Sequence, residues 1–331
     1  MKKVLFASTA LVMMTAGVAS AEVALSGDGR MGIVYDGNDA QFSSRIRARF
    51  TMTGESDAGL SFGGTFRVDQ ENYSSNSFRS AARGTAGAVW ISGTYGKLSM
   101  GDTVSASEAA VGDLYDIGYT EGSFAGDYEE ISYLTGDGEN LNQGPNILYE
   151  YSYNNFKFYA SASDGSDNLV CGVGAVTGSD AVCNVPGDDD KSDTAWSLAA
   201  AYDAGNYNVG LGYARHGDAK EIVLGGEATF NQFSVKAVIA DYKDRGWAPG
   251  YDFDKTYGIS AKYAANALTV KANWRRDEVN SLIAGVDDES FDSYGIGADY
   301  DLGGGATVAG GISKSDYIDD TVADFGIKFK F

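Results

Sequence analysis

Residues 43–53 read SSRIRARFTMT, which places Arg45, Arg47 and Arg49 at every second position. Three guanidinium groups so spaced share one face of an extended strand. They repel one another unless water or counter-charge lies close. The counter-charge is concentrated elsewhere in the chain. Between Leu98 and Phe156 there is no Lys or Arg, while Glu108, Asp113, Asp116, Glu121, Asp127, Glu129 and Glu130 all fall there, followed by Asp137 and Glu139. A row of bases set against a block of acids can hold a field across a water-filled gap and set a preference among ions.

Other chemistry is poorly supplied. Nucleophilic catalysis needs an imidazole or an equivalent base, and the only histidine is His216, in YARHGD at the end of an alternating segment. No G-x-S-x-G elbow accompanies it and no His/Cys metal set exists, so an enzyme is not expected and His216 reads as a rim residue. Clustered carboxylates can hold calcium, which takes about six to eight oxygens. Asp113, Asp116 and Glu121 are the candidates, although no D-x-D-x-D-G run with a terminal Glu occurs. No cofactor is required by any of these residues.

The elements that position these groups follow from patterning. The opening MKKVLFASTALVMMTAGVASA has two lysines, a short apolar run and an A-x-A ending, which reads as an export signal over residues 1–21. In an oxidising compartment Cys171 and Cys183, the only cysteines, are expected to form one local disulfide, with two free thiols as the alternative. The net charge of -21 argues against nucleic acid as a partner. The chain has 44 Gly, 21 Tyr and 16 Phe but only 3 Pro, and after the signal no apolar run is long enough for a membrane helix.

From residue 22 onward the chain alternates with period two in segments of about ten residues, as transmembrane strands do. Phe42, Ile46, Phe50 and Met52 oppose the arginines; Phe62, Phe66 and Val68 oppose Arg67 and Asp69; Met31, Ile33 and Tyr35 oppose Asp28 and Arg30. Later segments repeat the rule, with Lys236, Lys262 and Lys271 on polar faces. Short turns at 54–59, 94–97, 153–155, 203–206, 230–233, 264–267 and 302–305 alternate with longer acidic connections at 36–41, 71–83, 103–146, 165–192, 217–220, 244–254, 278–289 and 317–320. That arrangement predicts about 16 antiparallel strands closed into an all-β barrel, wide enough for an aqueous channel. Tyr35, Tyr95, Tyr153, Tyr202 and Tyr300 suit aromatic girdles, and the ending VADFGIKFKF carries the last strand to the terminus.

EVALSGDGRMGIVY, FSSRIRARF, GTYGKLSMGD, SEAAVGDLYDIGYT and YDLGGGATVAGGI with that ending resemble the Rhodobacter-type general porins of the bacterial outer membrane, over essentially all of residues 22–331. The resemblance implies a homotrimer of 16-stranded transmembrane barrels, with the third loop (about 103–146) folded into each lumen. It implies a basic wall at Arg30, Arg45, Arg47 and Arg67, to which the alternation adds Arg49. It implies an acidic loop at Glu108, Asp113, Asp116 and Glu121; Asp127, Glu129 and Glu130 join as acids without a matching motif. Calcium binding occurs in this family, as does contact with outer-membrane lipid and lipopolysaccharide. The expected function is passive diffusion of ions and small hydrophilic solutes, with a mild cation preference from the excess of acids. The rivals are a structural or adhesin barrel and a substrate-specific channel.

Overall fold

The computed structural model describes residues 22–72, 87–123, 125, 127–135, 146–163, 170–172, 182–184, 194–318 and 320–331. The export signal at 1–21 and the acids Asp137 and Glu139 lie outside them. The strands are β1 (Glu22–Tyr35), β2 (Ala40–Glu55), β3 (Ser61–Asn72), β4 (Gly87–Gly93), β5 (Gly96–Gly101), β6 (Asn146–Tyr153), β7 (Phe156–Ser163), β8 (Val170–Gly172), β9 (Val182–Asn184) and β10 (Ala195–Asp203). They continue as β11 (Tyr207–His216), β12 (Ala219–Phe230), β13 (Phe233–Ala248), β14 (Tyr251–Ala265), β15 (Leu268–Ser281), β16 (Glu289–Gly303), β17 (Ala306–Ser315) and β18 (Asp320–Lys330).

All but β8 and β9 form one closed antiparallel barrel of 16 strands, in which each strand pairs with the next, β7 pairs with β10, and β1 pairs with β18. Closure matters because lipid offers the backbone no hydrogen-bond partner, and only a sheet without edges satisfies every group. The alternation holds: Phe42 is 88% exposed on the outer face, whereas Arg45 on the inner face is 7% exposed. Several short turns use a left-handed asparagine, at Asn154, Asn231 and Asn266. β8 and β9 form a separate two-stranded sheet that sets Cys171 opposite Cys183 in register; their side chains lie outside the described residues.

One expected connection is wrong. Residues 244–254 are mostly strand, with β13 running to Ala248 and β14 starting at Tyr251. Between the Asp241–Lys255 and Arg245–Phe253 pairs three residues of β13 face one of β14, with Asp244 at φ 54°, and a second register shift follows between Gly246 and Ala248; together they break the period-two pattern. They leave Arg245 opposite Phe253, with the guanidinium 4.5 Å from the Tyr242 ring centre and 5.0 Å from that of Phe253.

The third loop lies inside the barrel. It begins with a six-residue helix, α1 (Ala106–Val111), whose Ser105 hydroxyl accepts the Glu108 N–H at 3.1 Å. α1 rests on a strip of wall that lacks side chains: a Cβ on Gly210 would overlap the Ala110 carbonyl, and one on Gly212 would lie 2.6 Å from Ser107 Oγ. Farther along, Gly258 lies under Leu114, Gly311 under Ile117 and Gly295 under Tyr128. Lumen-facing glycine therefore makes room for the loop, a role beyond turns and close strand contacts.

A Gly210→Leu variant should keep the barrel, because the added side chain displaces the loop and not a strand. The expected result is an unchanged β circular-dichroism spectrum with protease cleavage newly appearing within 103–135; a loop that stays protected would contradict this packing.

Candidate functional site

The loop backbone is fixed before any charge meets charge. The Ala106 N–H donates to Ser161 Oγ and Ser197 Oγ, each at 2.9 Å, and the Tyr115 N–H donates to Ser260 Oγ at 3.2 Å. Asp324 of β18 accepts the N–H of Tyr119 at 3.1 Å and of Thr120 at 2.8 Å. Arg30 donates to the Thr120 carbonyl and, at 3.0 Å, to Ser123 Oγ. On the return limb Arg275 bonds the Glu130 carbonyl and Ser132 Oγ, and Tyr242 Oη donates to the Ser132 carbonyl at 2.7 Å.

These anchors carry the loop to the arginine wall. Arg45 contacts Glu121 at 3.3 Å and Asp28 at 3.4 Å. Lys328 lies 3.5 Å from Glu121 and 3.8 Å from Asp299. Lys271 lies 3.1 Å from Asp299 and 2.9 Å from Asp116. A chain of alternating charge thus runs Asp28, Arg45, Glu121, Lys328, Asp299, Lys271, Asp116, joining β1 and β2 through the loop to β18, β16 and β15. Beside it Asp69 accepts both Arg47 at 3.0 Å and Arg67 at 2.9 Å. Arg49 faces the same lumen opposite Arg67, exposed and with no ion pair among the described residues.

Of the expected acidic residues, Asp116 and Glu121 meet wall bases in these ion pairs. Burial opposes ionisation of Glu121, but Lys328 and Arg45 outweigh it and hold its carboxyl below the usual range. Asp113 instead accepts the Ile131 N–H at 2.8 Å and ties the two limbs of the loop together; burial raises its pKa despite that bond and nearby Lys236. Glu129 is 5% exposed beneath Gly122, where burial, with Asp127, Glu130 and Asp116 adding like charge, pushes its carboxyl up to about 8. Glu108 sits in the first turn of α1, and Asp127 and Glu130 border a second cavity nearer the long-loop rim.

The calcium site expected at Asp113, Asp116 and Glu121 is not assembled. Each carboxylate is engaged separately, by the Ile131 N–H, by Lys271, and by Arg45 with Lys328. No group of three or more His, Cys, Asp or Glu able to hold a metal occurs among the described residues. His216 ends β11, away from these pairs. Lys271 and Lys328 are the site residues that sequence reasoning missed. The alternation puts both on polar faces, but it carries no information on depth along the barrel.

The closed barrel with its internal loop set against charged wall residues is matched by known proteins. The family model for Gram-negative porins matches residues 7–320. The chain belongs to this family. A porin of Rhodobacter capsulatus is 41% identical over 329 residues, covering 94% of this chain and 100% of that one. A porin of Fuscovulum blasticum is 29% identical over 328 residues, with 94% and 100% covered. A solved porin structure, refined at 1.8 Å, superposes with a TM-score of 0.72 at 36% identity, covering 94% of this chain and 100% of that one. The protein is an outer-membrane porin channel, and its family are channels and not enzymes.

Glu129 gives the loop a pH dependence. Its pKa in the seated loop lies above the ordinary value of 4.5, so a detached loop ionises first as pH rises. Seating is therefore strongest below about 4.5 and weakens progressively up to about 8. Open-channel current noise should rise between pH 5 and pH 9 and stay flat in Glu129→Gln; equal pH dependence in both proteins would refute the assignment.

Proposed function

We propose that the charged chain around Glu121 forms the constriction of a general diffusion channel for ions and small hydrophilic solutes, with a mild cation preference. The observation that carries this reading is the Arg45–Glu121–Lys328 contact, which brings the loop against the basic wall beside an open aperture lined by both signs. A field between fixed charges orders water and penalises apolar solutes, while small polar solutes diffuse through.

The cation preference has to come from outside the aperture. Its lining carries Asp28, Glu121, Asp299 and Asp301 against Arg30, Arg45, Arg47, Lys328 and Lys330, a balance slightly in favour of bases. The net charge of -21 lies mainly on other parts of the chain, and its potential acts through water over a distance of the order of the Debye length, about 10 Å at 0.1 M salt.

Trimer formation has physical support from wall height. β5 has six residues. A strand of six residues rises about 20 Å and, tilted by about 40°, spans about 15 Å along the membrane normal, against an apolar band of about 25 Å. Neighbouring copies covering this low side would spare lipid the mismatch. On the opposite side, Arg215, Lys220, Lys243, Lys255, Arg276 and Lys314 point outward near the long-loop rim, a placement that suits phosphate groups of outer-leaflet lipid and lipopolysaccharide. The facing register of Cys171 and Cys183 supports a disulfide within the fourth long connection.

Three measurements test these readings. The reversal potential across a bilayer in a KCl gradient should indicate cation preference that shrinks as mean salt rises from 10 mM to 1 M; anion preference at low salt would overturn it. Replacing Arg45, Arg47 and Arg67 by neutral residues should raise conductance and strengthen cation preference by about twofold or more. A native mass of one barrel in mild detergent would count against the trimer.

A further inference from the structure

The turn that carries Glu121 is held from behind by the two strands that close the barrel. Asp324 of β18 points into the lumen, where Oδ1 accepts the Tyr119 N–H at 3.1 Å and Oδ2 accepts the Thr120 N–H at 2.8 Å together with the Thr120 hydroxyl. Successive N–H groups turned toward one carboxylate form an anion-binding concavity, here filled by a side chain of the wall. Gly118 makes the approach possible: its φ is 83°, and a Cβ there would overlap the Asp324 carboxylate. From β1, which pairs with β18, Arg30 donates to the Thr120 carbonyl and to Ser123 Oγ. Tyr119 is fully buried and packs with Val34 and Ala309. Thr120 is therefore held at its N–H, its hydroxyl and its carbonyl, and the next residue is Glu121.

Glu121 has a backbone conformation that a glutamate does not favour. Its φ is 58°, in the left-handed region, and Gly122 follows at 82°. Such a conformation persists where the surroundings over-determine it. The clamp on Thr120 fixes one side, and the Gly122 carbonyl, which accepts the N–H groups of Ala125 and Asp127, fixes the other. In this conformation the Glu121 carboxylate reaches Arg45 at 3.3 Å and Lys328 at 3.5 Å. Those pairs are half in water, which weakens their hold on the backbone.

Asp324 is not among the residues that line the aperture. Its effect on a passing ion must then run through the place it gives Glu121.

We propose that Asp324 is a positioning residue for ion selectivity: with Gly118 and Arg30 it fixes the Thr120 peptide so that Glu121 stands against Arg45 and Lys328 and offsets their charge. The proposal rests on the reading of the Glu121 contacts as the constriction. Freed from the clamp, Glu121 leaves those two bases uncompensated, and the aperture admits anions more readily.

The test measures the potassium-to-chloride permeability ratio of the reconstituted full chain in planar bilayers, after each variant has shown the barrel's β circular-dichroism spectrum. Glu121→Gln, Asp324→Asn and Gly118→Ala should each lower the ratio by about twofold or more. Gly118→Ala alters no charge and no strand, so it reports position alone and stands in for Asp324→Asn should that variant fail to fold. In Gly118→Ala combined with Glu121→Gln the ratio should equal that of Glu121→Gln, because residues acting through one another are not additive. An unchanged ratio in Glu121→Gln would overturn the constriction reading and the proposal with it. A lowered ratio in Glu121→Gln with a native ratio in Gly118→Ala, or effects that multiply in the double variant, would overturn the positioning role alone.

Discussion

The pairing of the last strand with the first is the interaction on which everything else depends. Phe331 donates its N–H to the Gly27 carbonyl at 2.8 Å and accepts the Gly27 N–H at 3.2 Å, so the sheet ends where it began. A sheet closed in this way leaves each strand residue two destinations, lipid or lumen, and no third. That is why Leu25, Phe42 and Phe325 are more than 60% exposed without being a liability, and why buried Arg30 and Arg45 can sit on an inner face. In a soluble sandwich the same alternation would turn the apolar residues into the core and the arginines out to water.

Closure also creates the difficulty that the third loop resolves. A barrel of 16 strands is too wide for its own side chains to fill, and a loop entering it brings backbone groups that need partners. The wall supplies them. Ser161, Ser197, Ser260 and Asp324 accept loop N–H groups, while Arg30, Tyr242, Asn273 and Arg275 donate to loop carbonyls. Glycines between these anchors let the loop lie close enough for the bonds to form, so polar wall residues and missing side chains act together.

Period two made the barrel, its strand number and the inward face of the arginines legible, because a strict alternation survives without knowledge of neighbours. The helix at Ala106–Val111 was not anticipated within the long connection, although Ser105 and Glu108 stand at a capping spacing. The fates of the acids were not legible either. Glu121 and Glu129 are the same residue type eight positions apart, yet one meets Arg45 and the other is buried under Gly122. What separates them is the reversal near Gly122, where Ala125 and Asp127 both donate N–H to the Gly122 carbonyl. A tertiary turn of this kind leaves no periodic trace. The irregularities at Asp241/Arg245 and Gly246/Ala248 erased the pattern for a related reason, since each register shift interrupts the alternation.

The same geometry separates what holds the aperture from what solutes meet there. Glu121 and Asp116 have side chains that are each 40% exposed, so water screens their pairs with Arg45, Lys328 and Lys271, and such pairs are commonly worth about 0–1 kcal/mol. They are therefore weak candidates for fixing the loop. The buried bonds from Asp324 and Arg30 to the Tyr119–Thr120 backbone are better placed for that task, because leaving them unmade would strand polar groups away from water. The division suits a channel. Stiffness comes from contacts that solutes never reach, and the charges they do reach remain half in water, able to exchange a neighbour for a passing ion without loosening the loop.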